Sequence, residues 1–126
     1  MFRLDGRVAV ITGGSKGLGK AIGEAFVEAG ARLCIVSRNV AEGEATAVEI
    51  AGRFGQKAIA LACDVADSAQ VDAMTRQVLE AFGQIDILVN SAGINIRAPA
   101  EQYSDADWHA VLNTNLHGTF YCCRAA

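Results

Sequence analysis

The sequence predicts an α/β fold with a doubly wound parallel sheet, and three observations carry that expectation. Short apolar runs alternate with stretches of helical period. Those runs are apolar at every residue rather than at every second one, as strands are when helices cover both faces of a sheet. A glycine-rich turn joins the first run to the first helix. Four strands linked by right-handed crossovers give a parallel sheet. The order expected is 3-2-1-4, which reverses direction between the first and fourth strands. Such sheets bind ligands in the crevice at that switch point. Here the loops after Ile11 and after Val89 flank it.

The first run is Arg7-Val8-Ala9-Val10-Ile11. Behind it, Leu18, Ile22, Ala25, Phe26 and Ala29 fall on one helical face, and Gly30 supplies a stop. The second run, Leu33 to Val36, leads to a helix from about Asn39 to Phe54, with Asn39 as N-cap and Gly55 after its end. The third run spans Ala58 to Ala62. Asp67 or Ser68 then caps a helix whose apolar stripe is Val71, Met74, Val78, Leu79 and Phe82, ended by Gly83. The fourth run is Ile85 to Val89. Beyond a polar loop, Ser104 and Asp107 resemble a capping box. Trp108, Val111, Leu112, Asn115, Leu116, Thr119, Phe120 and Cys123 follow on one stripe, which puts Trp108 in the core. The chain stops inside this fourth major helix without a stop signal, as a truncated fragment would.

Composition sets the outer limits. The chain has 126 residues, 52% hydrophobic and 20% charged, with a net charge of -3. That suits one globular domain over residues 1–126, and no basic stripe exists to follow a nucleic acid backbone. Arg3, Asp5 and Arg7 precede an apolar run too short for a signal peptide, and no stretch approaches the ~18 apolar residues of a membrane span. A cytoplasmic protein is expected. Cys34, Cys63, Cys122 and Cys123 form no C-x-x-C pair and no cluster with histidine, so they read as reduced thiols rather than disulfides or a metal site. His109 and His117 read as surface or partner-facing.

The loop after the first run carries chemistry. It reads Thr12-Gly13-Gly14-Ser15-Lys16-Gly17-Leu18-Gly19. Glycines accept positive φ and let backbone approach a diphosphate closely. The helix starting near Gly17 turns unpaired N–H groups and its positive dipole end to the same place. Thr-Gly-x-x-x-Gly-x-Gly resembles the signature of the short-chain dehydrogenase/reductase family. Its spacing differs from the Gly-x-Gly-x-x-Gly of long-chain dehydrogenases and from the Thr-Gly-x-x-Gly-x-x-Gly of extended epimerases. The resemblance implies the N-terminal half of a Rossmann-type domain that binds a nicotinamide dinucleotide. It places Thr12, Gly13, Ser15, Lys16, Gly17, Leu18 and Gly19 around the phosphates.

The end of the second strand bears on which dinucleotide. NAD-binding domains usually carry an acid there for the ribose hydroxyls. This chain has Ser37-Arg38, and the nearest following acid is Glu42, inside the next helix. Arg38 offers a planar fork of donors to a 2′-phosphate, and Lys16 adds a second cation on that side. NADP(H) is therefore expected over NAD(H).

The resemblance assigns further residues. Asp64 would contact the adenine amino group and Val65 would cover the ring. Asn90-Ser91-Ala92-Gly93 matches the family's Asn-Asn-Ala-Gly except at Ser91, so Asn90, Ala92 and Gly93 would approach ribose and nicotinamide, Asn90 also bracing the sheet. Asn115, within Asn115-Leu116-His117-Gly118-Thr119-Phe120, matches Asn-Leu-x-Gly-x-Phe. In the family that Asn interrupts the helix and holds a water on the proton relay, which makes it the one catalytic candidate here. A polar Asn on an apolar stripe also demands hydrogen-bond partners on any reading.

The family's acid/base pair, Tyr-x-x-x-Lys, is absent. Tyr103 is followed by Asp107 and Tyr121 by Ala125, and the lysines are Lys16, Lys20 and Lys57. The expectation is a fragment, inactive by itself, of an enzyme that moves hydride between NADP(H) and a small carbonyl or alcohol substrate. Gly93 to Ala100 would touch substrate. The general look is that of 3-oxoacyl-carrier-protein reductases and of sugar- or polyol-oxidising members such as gluconate 5-dehydrogenases. The resemblance implies a homodimer or homotetramer for the full-length enzyme, packed through the Trp108 helix and the one after it, and the absence of that second helix speaks against assembly of this chain by itself. A catalytically silent dinucleotide-binding module stays open as an alternative. A methyltransferase is disfavoured by Ser37-Arg38, where such sites commonly want an acid.

Overall fold

The computed structural model describes residues 2–126. Its elements run β1 (Val8–Thr12), α1 (Gly17–Glu28), β2 (Arg32–Ser37), α2 (Val40–Phe54), β3 (Ala58–Ala62), α3 (Ser68–Phe82), β4 (Ile87–Asn90), a short 3-10 turn (Ala100–Gln102), α4 (Asp105–Leu112), a π-helical turn (Asn113–His117) and α5 (Gly118–Ala125). The strands form one parallel sheet in the order β3-β2-β1-β4, the order expected.

Alternation along the strands divides two cores. Val8, Val10, Cys34 and Val36 face α3 and α5, against Val71, Met74, Val78, Phe82 and Cys122. Ala9, Ile11, Leu33 and Ile35 face α1 and α2, against Val27, Ala47 and Ile50. Every residue of β1 is buried, so both faces of the strand lose contact with water. This is why the runs carry no polar alternation.

Caps fix the helix starts. The side chain of Asn39 accepts from Glu42 N–H at 3.2 Å, that of Asp67 from Ala69 and Gln70 at 3.0 and 3.3 Å, and that of Ser104 from Asp107 at 3.0 Å. Each satisfies a first-turn amide that has no partner inside its helix. Gly55 and Gly83 end α2 and α3 in the left-handed conformation.

Four expectations need correction. The buried face of α1 is Gly19, Gly23 and Val27, flanked by Ile22 and Phe26; Leu18 is 73% exposed and Ala25 is exposed too. Small residues form the contact because the helix lies close on the sheet: a Cβ on Gly23 would sit 3.1 Å from Leu33. Leu79 projects outward from α3. β4 begins at Ile87, because the Asp86 carboxylate takes the Val8 N–H at 2.8 Å in place of a backbone acceptor. Lastly, Trp108 is not core. It is 57% exposed, and Leu116 and Phe120 are similarly open. The packed face of α5 is Gly118 and Cys122. A Cβ at Gly118 would lie 2.6 Å from Val65, so the bare glycine permits this approach and turns the large apolar side chains away.

All four cysteines are unpaired, with Cys123 exposed and the others buried. Among the described residues, no helix is long and apolar enough to cross a membrane.

Candidate functional site

The crevice is built where the β1 and β4 ends are stitched together. Thr12 is buried at the last position of β1. Its hydroxyl accepts from Ala92 N–H at 3.2 Å, and its carbonyl accepts from Ser91 N–H at 3.2 Å. Gly13 N–H donates to the Val36 carbonyl at 2.8 Å, tying the same point to β2. Gly13 has φ 68°, and a Cβ there would lie 2.8 Å from the Ala92 backbone. Only glycine meets both demands. Gly19, in the first turn of α1, rests on the Gly13 carbonyl with no room for a Cβ. The buried Ser15 offers its carbonyl to the Thr46 hydroxyl at 2.7 Å, fixing the loop to α2. The glycine loop is thus held from three sides.

Between the loops lies a cavity of about 500 Å³, a size suited to a small-molecule ligand. Gly13, Ser15, Lys16, Leu18 and Gly19 form one wall. Ser37 and Arg38 close the β2 end, Asp64 and Val65 the β3 end, and Ala92 and Gly93 the β4 side. Four predicted site residues, Thr12, Gly17, Asn90 and Asn115, do not line it. Thr12 lies behind the wall as a brace. Gly17, at φ 60°, has open space where a Cβ would stand. Asn90 donates to Cys123 Sγ at 3.4 Å and so braces β4 against α5.

Ile94, from the stretch expected to touch substrate, lines the cavity, and so do residues not assigned to the site from the sequence, among them Glu42, Cys63 and Thr114. Glu42 was legible only as the nearest acid after β2; its place at N3 of α2 turns it to the rim. Its Oε1 lies 3.9 Å from Lys16 Nζ. One Asp64 carboxylate oxygen accepts from Ala66 N–H at 3.0 Å, and the Asp64 amide donates to Gln70 Oε1 at 2.9 Å, which freezes the turn after β3.

The mouth of α1 fits an anion. Lys16, at its N-cap, makes no side-chain cap, and the first turn holds no acid. By contrast α2, α3 and α4 are each capped by a side chain. The unclaimed first-turn amides and the positive end of the helix point at the crevice, the chemistry a diphosphate requires. Burial pushes the Cys63 thiol up to about 12, so it stays neutral and takes no part in charge there.

Asn115 lies in the π-helical turn. Its Oδ1 accepts from Ile94 N–H at 2.8 Å and its Nδ2 donates to the Ile94 carbonyl at 2.9 Å. Its own carbonyl accepts from the Thr119 hydroxyl at 2.9 Å. A π turn frees backbone groups from the regular ladder, and here side chains meet them. The predicted interruption is present. The polar side chain on the apolar stripe is satisfied by the loop backbone at the crevice wall.

Comparison with known proteins settles the family. The family model described as short chain dehydrogenase matches residues 7–126. The chain belongs to the short-chain dehydrogenase family. It is 48% identical over 124 residues to the D-threitol dehydrogenase of Mycolicibacterium smegmatis, covering 98% of this chain and 47% of that protein. It is 39% identical over 124 residues to the sorbitol dehydrogenase of Cereibacter sphaeroides, with 98% and 47% covered. A crystal structure of a short-chain type dehydrogenase/reductase from Mycobacterium marinum superposes with a TM-score of 0.95 at 37% identity, over 99% of this chain and 50% of that one. The chain spans about half the length of the curated relatives it matches. The family uses nicotinamide dinucleotide cofactors, and the Rossmann-type fold is the one these relatives share.

Proposed function

We propose that the protein carrying this chain is a dehydrogenase that moves hydride between NADP(H) and a secondary alcohol of a small acyclic polyol. The observation that carries the reading is the α1 mouth, which Gly13 and Gly19 hold open. Its uncapped amides face a cavity between β1 and β4. The diphosphate would lie on those amides, with Asp64 and Val65 about the adenine and Ala92 and Gly93 toward the nicotinamide. Arg38 supports NADP(H). It is exposed at the rim and pairs with no carboxylate among the described residues. The polyol class is supported by the names of relatives that act on threitol and sorbitol.

When bound, the dinucleotide supplies or accepts the hydride. This chain's residues hold it, orient it and shape the wall beside the nicotinamide. Asn115 acts there by fixing Ile94, and its turn would hold a water on the proton path. The sequence contains no Tyr-x-x-x-Lys. In a protein of the relatives' length, the acid and base would come from residues outside these 126, and this segment alone would be inactive. Homo-oligomer contact through the exposed Trp108, Leu116 and Phe120, as dimer or tetramer, and a cytoplasmic location belong to the same reading. The catalytically silent module is not favoured, because the relatives named above are dehydrogenases.

The test is a dinucleotide-coupled oxidation assay of the protein with threitol, sorbitol and galactitol. Nicotinamide reduction with at least one polyol, faster with NADP⁺ than NAD⁺, is expected. No turnover with any of them overturns the substrate class, and faster turnover with NAD⁺ overturns the cofactor preference.

A further inference from the structure

We infer that Glu42 is a specificity-determining residue of the crevice, a counter-charge that sets how far a ribose 2′-phosphate is preferred over a 2′-hydroxyl. The inference rests on the cofactor reading above and deepens it. Three groups share the rim at the β2 end: the Lys16 ammonium, the Arg38 guanidinium and the Glu42 carboxylate. Glu42 is held there by local structure. Asn39 caps α2 and takes the Glu42 amide at 3.2 Å, and a carboxylate in a helix's first turn is favoured by the helix dipole.

The Glu42–Lys16 pair is long, at 3.9 Å, and open to water, with side chains 39% and 81% exposed. Such a pair contributes little to folding. Its effect on an incoming anion is a different matter. A phosphate monoester carries close to two negative charges near neutral pH. Arriving between Lys16 and Arg38, it meets a rim whose summed charge is one positive unit rather than two, with a carboxylate inside the same space. A 2′-hydroxyl meets instead an acceptor able to take its proton in a hydrogen bond. Glu42 therefore weakens NADP(H) binding and supports NAD(H) binding. The margin between the two cofactors is set jointly with Arg38.

The experiment is a fluorescence titration of the protein with NADPH and with NADH, for wild type, Glu42→Gln, Glu42→Asp and Lys16→Met, each checked by thermal melting. Glu42→Gln is expected to move the affinity ratio toward NADPH by roughly three- to tenfold, less at high salt as screening grows. Glu42→Asp, which keeps the charge, should stay near wild type. Lys16→Met, which leaves the carboxylate unpaired, should move the ratio toward NADH. A folded Glu42→Gln protein whose ratio is unmoved, or shifted toward NADH, overturns the inference and leaves the cofactor reading standing. Binding of neither dinucleotide by the wild-type protein overturns both.

Discussion

The Asn115 carboxamide clamps Ile94 from both sides of one peptide residue, accepting its N–H at 2.8 Å and donating to its carbonyl at 2.9 Å. Ile94 lines the crevice. A carboxamide supplies one donor and one acceptor at the spacing a residue in extended backbone presents, which no carboxylate or hydroxyl does. Asn115→Asp keeps the acceptor and loses the donor; Asn115→Leu loses both. At about 0.5–1.5 kcal/mol net per bond, Leu should destabilise the protein more than Asp. Both should speed hydrogen exchange at the Ile94 amide. Unchanged exchange there in the Leu variant would show that the clamp is not what holds the loop.

The glycines of the first loop should differ sharply under the same substitution. Gly13→Ala combines positive φ with a Cβ 2.8 Å from the Ala92 backbone, and Gly19→Ala drives a Cβ onto the Gly13 carbonyl. Both should abolish dinucleotide binding and lower the melting temperature. Gly17→Ala keeps only the cost of a left-handed alanine, about 1–2 kcal/mol, because nothing lies within 4 Å of its Cβ. Melting curves and cofactor titration of the three variants check the ranking. Equal loss at all three sites would contradict it.

This contrast shows what was legible in the sequence. Helices α2 and α3 could be placed nearly to the residue, because Asn39, Asp67, Gly55 and Gly83 act locally and leave local signatures. The strand order followed from the doubly wound pattern, which reverses direction between the first and fourth strands. The start of β4 was set by the Asp86 side chain. The failures on the helices share one cause, the assumption that large apolar residues mark the packed face. Gly23 on α1 and Gly118 on α5 do so instead, through backbone proximity that hydrophobic periodicity does not record. Leu18 and Trp108 accordingly point away. The walls of the crevice were visible as motifs. Glu42 was not placed there, since nothing in a helical pattern says which N3 carboxylate faces a cavity two elements away.

Acid should weaken the β1–β4 junction. The Asp86 carboxylate is held below its ordinary range, first by the Val8 amide, then by the Gln84 side chain, with Arg7 nearby. The native state therefore binds this proton less readily than the unfolded chain. The stabilisation is present above the unfolded value of about 3.9 and is lost as pH falls through the lower native one. Asp86→Asn keeps an acceptor for Val8 but no longer titrates. Urea midpoints followed downward from neutral pH should show a shallower acid decline in the variant. Identical slopes would remove Asp86 from the account.

Thiol reactivity should follow burial. Desolvation raises Cys34 and Cys63 to about 12 and Cys122 to about 11, so the reactive thiolate is scarce at neutral pH. Cys123 is exposed. Iodoacetamide labelling of the native protein, read by peptide mass spectrometry, should mark Cys123 first and the other three only after denaturation. Early labelling of Cys63 would contradict its placement in the core beside Val65.

If the first-turn amides of α1 receive the cofactor's diphosphate, backbone NMR during an NADP⁺ titration reads the contact at those amides themselves. The amide resonances of Gly17, Leu18 and Gly19 should shift and saturate together. Those of Ala69 and Gln70, already taken by the Asp67 side chain, should stay still. Saturable binding that leaves the three α1 amides unmoved would contradict the account.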